Sequence, residues 1–211
     1  MTMVNGMGPK ISEKKVDELL ERIDYIGEGD TLVLTGSIPK SLPEGMYSII
    51  MKRLKGRGIR FVVDAPGQLL LESLEDEPFL IKPNNHEVGR IFDARPETPE
   101  ECIPFAKELH ERGARNVIVS CGGHGSLLYD EKGEVHTVPT AKIRLVNATG
   151  AGDSMVAGFV AKVQEGADYE TALRFASACG TATAASKGIA KRATIDRVYQ
   201  NLNEIIAKQG K

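Results

Sequence analysis

Five consecutive residues, Thr149-Gly150-Ala151-Gly152-Asp153, stand directly before an apolar, helix-like run in "LVNATGAGDSMVAGF". A helix opening at Ala151 leaves the amides of Gly150, Ala151, Gly152 and Asp153 pointing outward, partly positive and suited to a phosphate or a developing anion. Gly150 and Gly152 carry no Cβ to hold a ligand away. Asp153 beside such an anion is poorly placed to add charge and well placed to take a proton from a hydroxyl as general base. The competing reading is an Asp that caps its own helix after an ordinary glycine turn. These residues alone leave the choice open.

Three other stretches carry chemistry of a compatible kind. In "IKPNNHEVGRIF" (81–92), Asn84 and Glu87 are three apart at a helix start. Their amide and carboxylate suit Mg²⁺ held through its waters, and Lys82 can meet nucleotide phosphates as a point charge. An N-terminal capping arrangement explains the same pair equally well. "SCGGHG" (120–125) offers Ser120, Gly122, Gly123 and Gly125 as a backbone wall for phosphates or ribose, without the lysine of a Walker loop. His124 inside it is expected to face solvent. Ser37 in "TGSIPKSLPEG" can touch a sugar hydroxyl or phosphate, and Asp64 can line a cavity or cap a turn. "FASACGTATAASKG" (175–188) allows tight helix packing or a flat slot for an adenine ring.

These residues need a scaffold, and short β-branched runs alternating with helical periodicity supply one. Strands are expected at 31–37 (buried), 59–67, 79–84 and 114–120, a hairpin around Glu131-Lys132-Gly133, and one more strand in "KIRLVN" (142–147). Helices are expected from Ser12 with Val16, Leu19, Leu20 and Ile23 on one buried face, at 47–55, around 68–74, at 99–112 with a kink or split at Pro104, and at 151–165, 168–187 and 195–207. The acidic run "ESLEDE" (72–77) reads as a solvated loop. The alternation implies an α/β fold with a mostly parallel sheet covered on both faces. Such sheets bind ligands beyond the carboxyl ends of their strands, where the distinctive residues fall.

Composition removes several function classes. The 211 residues suit one domain, 1–211, with a single core. No Trp, 5% aromatics and a net charge of −2 speak against a nucleic-acid partner. Three scattered cysteines and four scattered histidines offer no structural zinc spacing and fit a reducing cytoplasm. The first residues lack the charged and apolar regions of a signal peptide, and no apolar run suits a membrane span. No G-x-G-x-x-G follows a first strand, which disfavours a dinucleotide-binding oxidoreductase.

Taken together, the residues resemble the ribokinase-like carbohydrate kinases of the phosphofructokinase-B family. "NATGAGDSMVAGF" is similar to that family's C-terminal signature, which implies that Asp153 is the base and that Gly150, Ala151 and Gly152 form the anion hole. "KPNNHE" resembles its Asn-x-x-Glu element, implying Asn84 and Glu87 for Mg²⁺ and Lys82 for ATP. "SCGGHG" resembles the ATP-binding glycine turn, and "TGSIP" a substrate-side turn. "NGMGPKIS", "TGSIPKSLPEGMY" and "LIKPNNHEVGRIF" are most similar to the hexose-phosphate branch, with its 1-phosphofructokinases and tagatose-6-phosphate kinases.

The resemblance implies ATP and Mg²⁺ as cofactors and a hexose phosphate as substrate, most simply fructose 1-phosphate. Ala148 departs from the Ser or Lys usual at its place. The early Gly-Gly-Lys-Gly-x-Asn element and first strand of the family have no counterpart. The chain is therefore expected to be the C-terminal ATP-binding portion, without the N-terminal strands and without the lid that builds the family's homodimer. Little activity is expected of it alone, and a non-catalytic ATP-binding domain is the alternative.

Overall fold

The computed structural model describes residues 8–43 and 45–209. The start of the "NGMGPKIS" stretch and Glu44 of the "TGSIPKSLPEGMY" stretch lie outside them. Helix α1 (Glu13–Ile23) leads to β1 (Thr31–Thr35), α2 (Met46–Leu54), β2 (Arg60–Asp64), α3 (Gly67–Ser73) and β3 (Leu80–Ile81). Then come α4 (Asn85–Phe92), α5 (Pro99–Glu111), β4 (Val117–Ser120), β5 (Ser126–Tyr129) and β6 (Val135–Val138). Three helices close the chain: α6 (Ala151–Gln164), α7 (Tyr169–Ala184) and α8 (Arg192–Gln209).

The six strands form one sheet in chain order. β1 to β4 are parallel, and β5 and β6 are the antiparallel hairpin expected around residues 131–133. Alternation along each strand divides the core in two. Phe61 and Val63, Ile81, Val117 and Val119, and Leu127 pack toward the layer holding α2, α3 and α5. Val62, Leu80, Ile118 and Leu128 pack toward α6, α7 and α8. Both faces are thus covered, as the consecutive apolar residues in the middle of β2 and β4 require.

The α6–α7 contact is extensive and close, and small residues allow it. A Cβ on Gly158 would lie 2.7 Å from Cys179 Sγ, and one on Gly180 would lie 3.1 Å from the Ala151 carbonyl oxygen. The Ala/Ser/Gly run of α7 is thereby explained as packing along one side, while its other side faces a cavity described below.

Several expectations are corrected. "KIRLVN" is not a strand. The amides of Val146 and Asn147 donate to the Ala184 carbonyl at the end of α7 (2.8 and 3.1 Å), so its backbone is satisfied by a helix end and not by a ladder. "ESLEDE" is not a solvated loop: it ends α3 and continues as a short 3₁₀ turn (Leu74–Asp76) with Leu74 and Asp76 buried. Asp76 accepts a hydrogen bond from the Ser48 hydroxyl at 2.6 Å, which satisfies the buried carboxylate.

β1 is an edge strand among the described residues, so Val33 is 40% exposed where a buried strand was expected. On α1, Val16, Leu20 and Ile23 pack inward while Leu19 turns out, 42% exposed. Ser12 sits at the N-cap without a side-chain capping bond. Pro104 does not split α5, which runs through it from Pro99 to Glu111.

Candidate active site

Because β1 to β4 are parallel, their carboxyl ends share one edge of the sheet, and the polar residues gather there. Thr35 ends β1 in register with Asp64 at the end of β2. Lys82 follows β3, and Asn84 bridges to Ser120 at the end of β4. The Tyr47 hydroxyl donates to the Thr35 carbonyl at 2.6 Å and pins the end of β1 to α2.

The start of α6 lies against this edge. Gly150 is its N-cap with φ +80°, a left-handed conformation that favours glycine. Asp153 is exposed in the first turn, and its Oδ1 accepts from the Thr35 hydroxyl at 3.3 Å. That contact joins residues 118 positions apart and brings the α6 carboxylate over the end of β1.

The amides of Gly150, Gly152 and Asp153 have no protein partner among the described residues. Ala151 corrects the sequence reading: its amide donates to the Ala148 carbonyl at 3.1 Å and is not presented outward. The two glycines also have reasons inside the protein. A Cβ at Gly150 would meet Ile189 Cδ1 at 2.7 Å, and one at Gly152 would meet Lys82 Nζ at 3.1 Å.

Lys82 is therefore not a free surface charge. It is 4% exposed, its Nζ lies 3.3 Å from Asp64 Oδ1, and it sits beneath the first turn of α6. Burial raises the Asp64 carboxyl above its ordinary value, against the pull of the Lys82 ammonium, and the Glu87 and Asp153 carboxylates raise it further. Three carboxylates thus share one field with a single buried ammonium.

A raised folded-state value means the folded protein holds the proton better than the unfolded chain. Asp64's contribution to stability is complete below 3.8 and is lost as pH rises through its raised folded-state value. A carbon-13 titration of the Asp64 carboxyl is expected to show a midpoint above 3.8; a midpoint at or below it would remove this reading.

Asn84 and Glu87 form a complete capping box at the start of α4. Asn84 Oδ1 accepts from the Glu87 amide at 2.9 Å, and Glu87 Oε2 accepts from the Asn84 amide at 2.8 Å. The capping reading of this pair is thus present in the structure. It leaves Glu87 Oε1 without a protein partner among the described residues. Ser37 is exposed on the loop after β1.

Ser120, Gly122, Gly123 and Gly125 converge on a cavity of about 550 Å³. Its opposite wall is Ser177, Gly180, Thr181 and Ala184 of α7, and Ala151 and Gly152 stand at one end. The Gly122–His124 segment is a 3₁₀ turn. Gly125 has φ +106°, and a Cβ there would fall 2.3 Å from the Val138 carbonyl oxygen, so only glycine closes the turn. His124 is exposed, as expected.

Sequence reasoning missed Thr35 as a site residue and the Lys82–Asp64 pairing, although both acid and hydroxyl stand at strand ends. It also missed the cavity's third wall, Pro139 to Ile143 with Leu145, whose later residues, from Lys142, read as a strand. Among the described residues the cluster of three ligand-type side chains within mutual reach is Asp130, Glu134 and His136. It belongs to the hairpin: Asp130 accepts from the amides of Lys132 and Glu134 and pairs with His136 Nε2 at 3.0 Å.

The sequence and the fold both have close counterparts. The pattern described as "pfkB family carbohydrate kinase" matches residues 2–195. The chain is 42% identical over 204 residues to a 1-phosphofructokinase of Bacillus subtilis, covering 97% of this chain and 66% of that protein. It is 37% identical to a D-tagatose-1-phosphate kinase of Bacillus licheniformis, covering 92% and 64%. The crystal structure of phosphofructokinase-2 from Escherichia coli in complex with fructose-6-phosphate superposes with a TM-score of 0.85 at 28% identity, covering 94% of this chain and 65% of that one.

The chain thus spans about two thirds of the length of the relatives it matches. The α/β, mostly parallel, ribokinase-like architecture expected from the sequence is the one found. With the family pattern covering nearly all of its length, the chain belongs to the pfkB family of carbohydrate kinases.

Proposed function

We propose that this chain is the nucleotide-binding and phosphoryl-transferring part of an ATP-dependent sugar-phosphate kinase, acting on fructose 1-phosphate to give fructose 1,6-bisphosphate. The observation that carries this is the start of α6. Three unpartnered amides, an exposed carboxylate and a buried ammonium meet there, at the end of a cavity of about 550 Å³. The cavity takes the nucleotide, with its base in the slot against α7 and its phosphates running along the Gly122–Gly125 turn toward α6.

In the reaction a sugar hydroxyl attacks the γ-phosphorus. A new oxygen–phosphorus bond forms as the bond to the bridging β,γ-oxygen breaks, and the hydroxyl proton passes to Asp153. Thr35 holds that carboxylate by its hydrogen bond. The amides of Gly150, Gly152 and Asp153, with Lys82 beneath them, stabilise the charge on the transferring group; positioning and electrostatics are what such transfer requires.

The excess of carboxylate over ammonium at Asp64, Glu87 and Asp153 fits a divalent cation held through water. Glu87 Oε1 and the Asn84 side chain would hold Mg²⁺ there, and the ion when bound neutralises phosphate charge. The 1-phosphofructokinase relative supports fructose 1-phosphate, and the tagatose-phosphate kinase relative keeps tagatose phosphates as the second reading. A reducing, cytoplasmic setting accords with three free cysteines, and no helix among the described residues is long and apolar enough to cross a membrane.

Calorimetric titration of the chain with ATP and Mg²⁺, then with fructose 1-phosphate or tagatose phosphates, tests the proposal. Saturable nucleotide binding with sugar-phosphate-dependent ADP release supports it. Nucleotide binding without ADP release, even at the relatives' full length, would favour a non-catalytic ATP-binding domain. Absence of nucleotide binding would end it.

A further inference from the structure

Cys102 and Cys121 are both buried, and their sulfurs lie 3.8 Å apart between α5 and the end of β4. The reaction above uses neither. Cys121 nevertheless sits at a sensitive place, directly before the glycine turn of the cavity. Its amide donates to the Gly125 carbonyl at 2.8 Å, and its carbonyl accepts from the His124 amide at 3.0 Å. Both ends of the Gly122–Gly125 turn are therefore tied to this one residue.

We propose that Cys102 and Cys121 form an oxidation site: a peroxide joins them in a disulfide, and the disulfide displaces the glycine turn and weakens nucleotide binding. The second half rests on the functional reading above; the first does not. A disulfide requires its sulfurs about 2.05 Å apart, so they must close by roughly 1.8 Å. α5 is anchored by Cys102, Ala106 and Leu109, all fully buried, whereas Gly122, Gly123 and His124 are exposed. The turn is the side that yields, because packed interiors resist such shifts.

The chemistry is complete with hydrogen peroxide as oxidant. When the exposed Gly122–His124 turn opens and admits peroxide, the Cys102 thiolate attacks one peroxide oxygen, an S–O bond forms, the O–O bond breaks and hydroxide leaves to become water. Cys121 sulfur then attacks Cys102 sulfur, the S–S bond forms, the S–O bond breaks and a second water leaves. Two thiols and one peroxide give one disulfide and two waters. The contact between the two sulfurs, in which either thiol can donate, lowers Cys102 from its ordinary value and so favours its thiolate. Cys121 is raised, chiefly by that same contact, and the bond to a thiolate is gone once Cys102 carries oxygen. Cys179, pushed up to about 11 by burial, has no neighbouring thiol and serves as the internal control.

The experiment exposes the 211-residue chain to hydrogen peroxide under native conditions. Mass spectrometry should show the loss of two hydrogens and a peptide linking Cys102 to Cys121, reversed by dithiothreitol. Calorimetry should give an ATP·Mg²⁺ dissociation constant weakened about tenfold, restored on reduction. Cys179→Ser should behave as the unmodified chain, while Cys102→Ser and Cys121→Ser should form no link and lose no affinity under peroxide. No link, or a link through Cys179, overturns the site; a link with unchanged affinity overturns the coupling. Should the reduced chain bind no ATP, the functional reading fails, and amide exchange at Gly122–Gly125 before and after linking still decides whether the turn moves.

Discussion

Asp153→Asn is expected to lower sugar-phosphate-dependent ADP release by roughly 10²–10⁴, the range for losing a positioned general base. The amide side chain keeps the size of the carboxylate and can still accept from Thr35, so the fold and the α6 start are retained. ATP·Mg²⁺ affinity should change by no more than about threefold, equivalent to ~0.7 kcal/mol. Turnover is measured on this sequence at the full length of its relatives as well as on the chain alone. A variant that keeps turnover within a factor of ten would return Asp153 to the simpler role of a first-turn acid.

Lys82→Met is expected to have the largest effect on the folded state, and the effect should depend on pH. Removing one member of a buried pair leaves the other charge uncompensated, at a cost of about 3–5 kcal/mol. Here the partner left behind is Asp64, whose carboxyl is already raised by burial and by Glu87 and Asp153. Without the ammonium it rises further, so the variant regains stability as the pH falls and the carboxyl takes up a proton. Urea unfolding should therefore show a cost near the upper end of that range at pH 8 and a clearly smaller one at pH 5. Nucleotide affinity should fall about tenfold or more, since the ammonium lies beneath the anion-facing turn of α6. Equal losses at both pH values would mean that the pair contributes packing and not charge.

Much of the architecture was legible in the chain itself. β2, β4 and β5 are apolar at successive positions because both faces are covered, and that run is visible in "FVV", "VIV" and "LLY". The α6 start was legible as a helix opening at Ala151 after a glycine turn, as found. The capping box was legible too, since Asn84 and Glu87 stand at the spacing it needs.

What the chain hid were relations between distant residues. Lys82 reads as a strand-end cation; that it is buried against Asp64 depends on two strands lying side by side. "KIRLVN" has the composition of a strand, but its amides meet Ala184 first and its Ile143 and Leu145 face the cavity. Gly152 reads as room for a ligand, whereas the nearest occupant of that room is the Lys82 ammonium. Ala151 reads as an outward amide, and a local turn to Ala148 takes it.

The account stands on the α6 start as the place where phosphate charge is received. Amide chemical shifts of the isotope-labelled chain, followed through an ATP·Mg²⁺ titration, test this most directly. Gly150, Gly152 and Asp153 should move together with Gly122 and Gly123, saturating at the calorimetric dissociation constant, while Ala151 moves less because its amide is already bonded. Saturating shifts that leave Gly150, Gly152 and Asp153 unmoved would contradict the account.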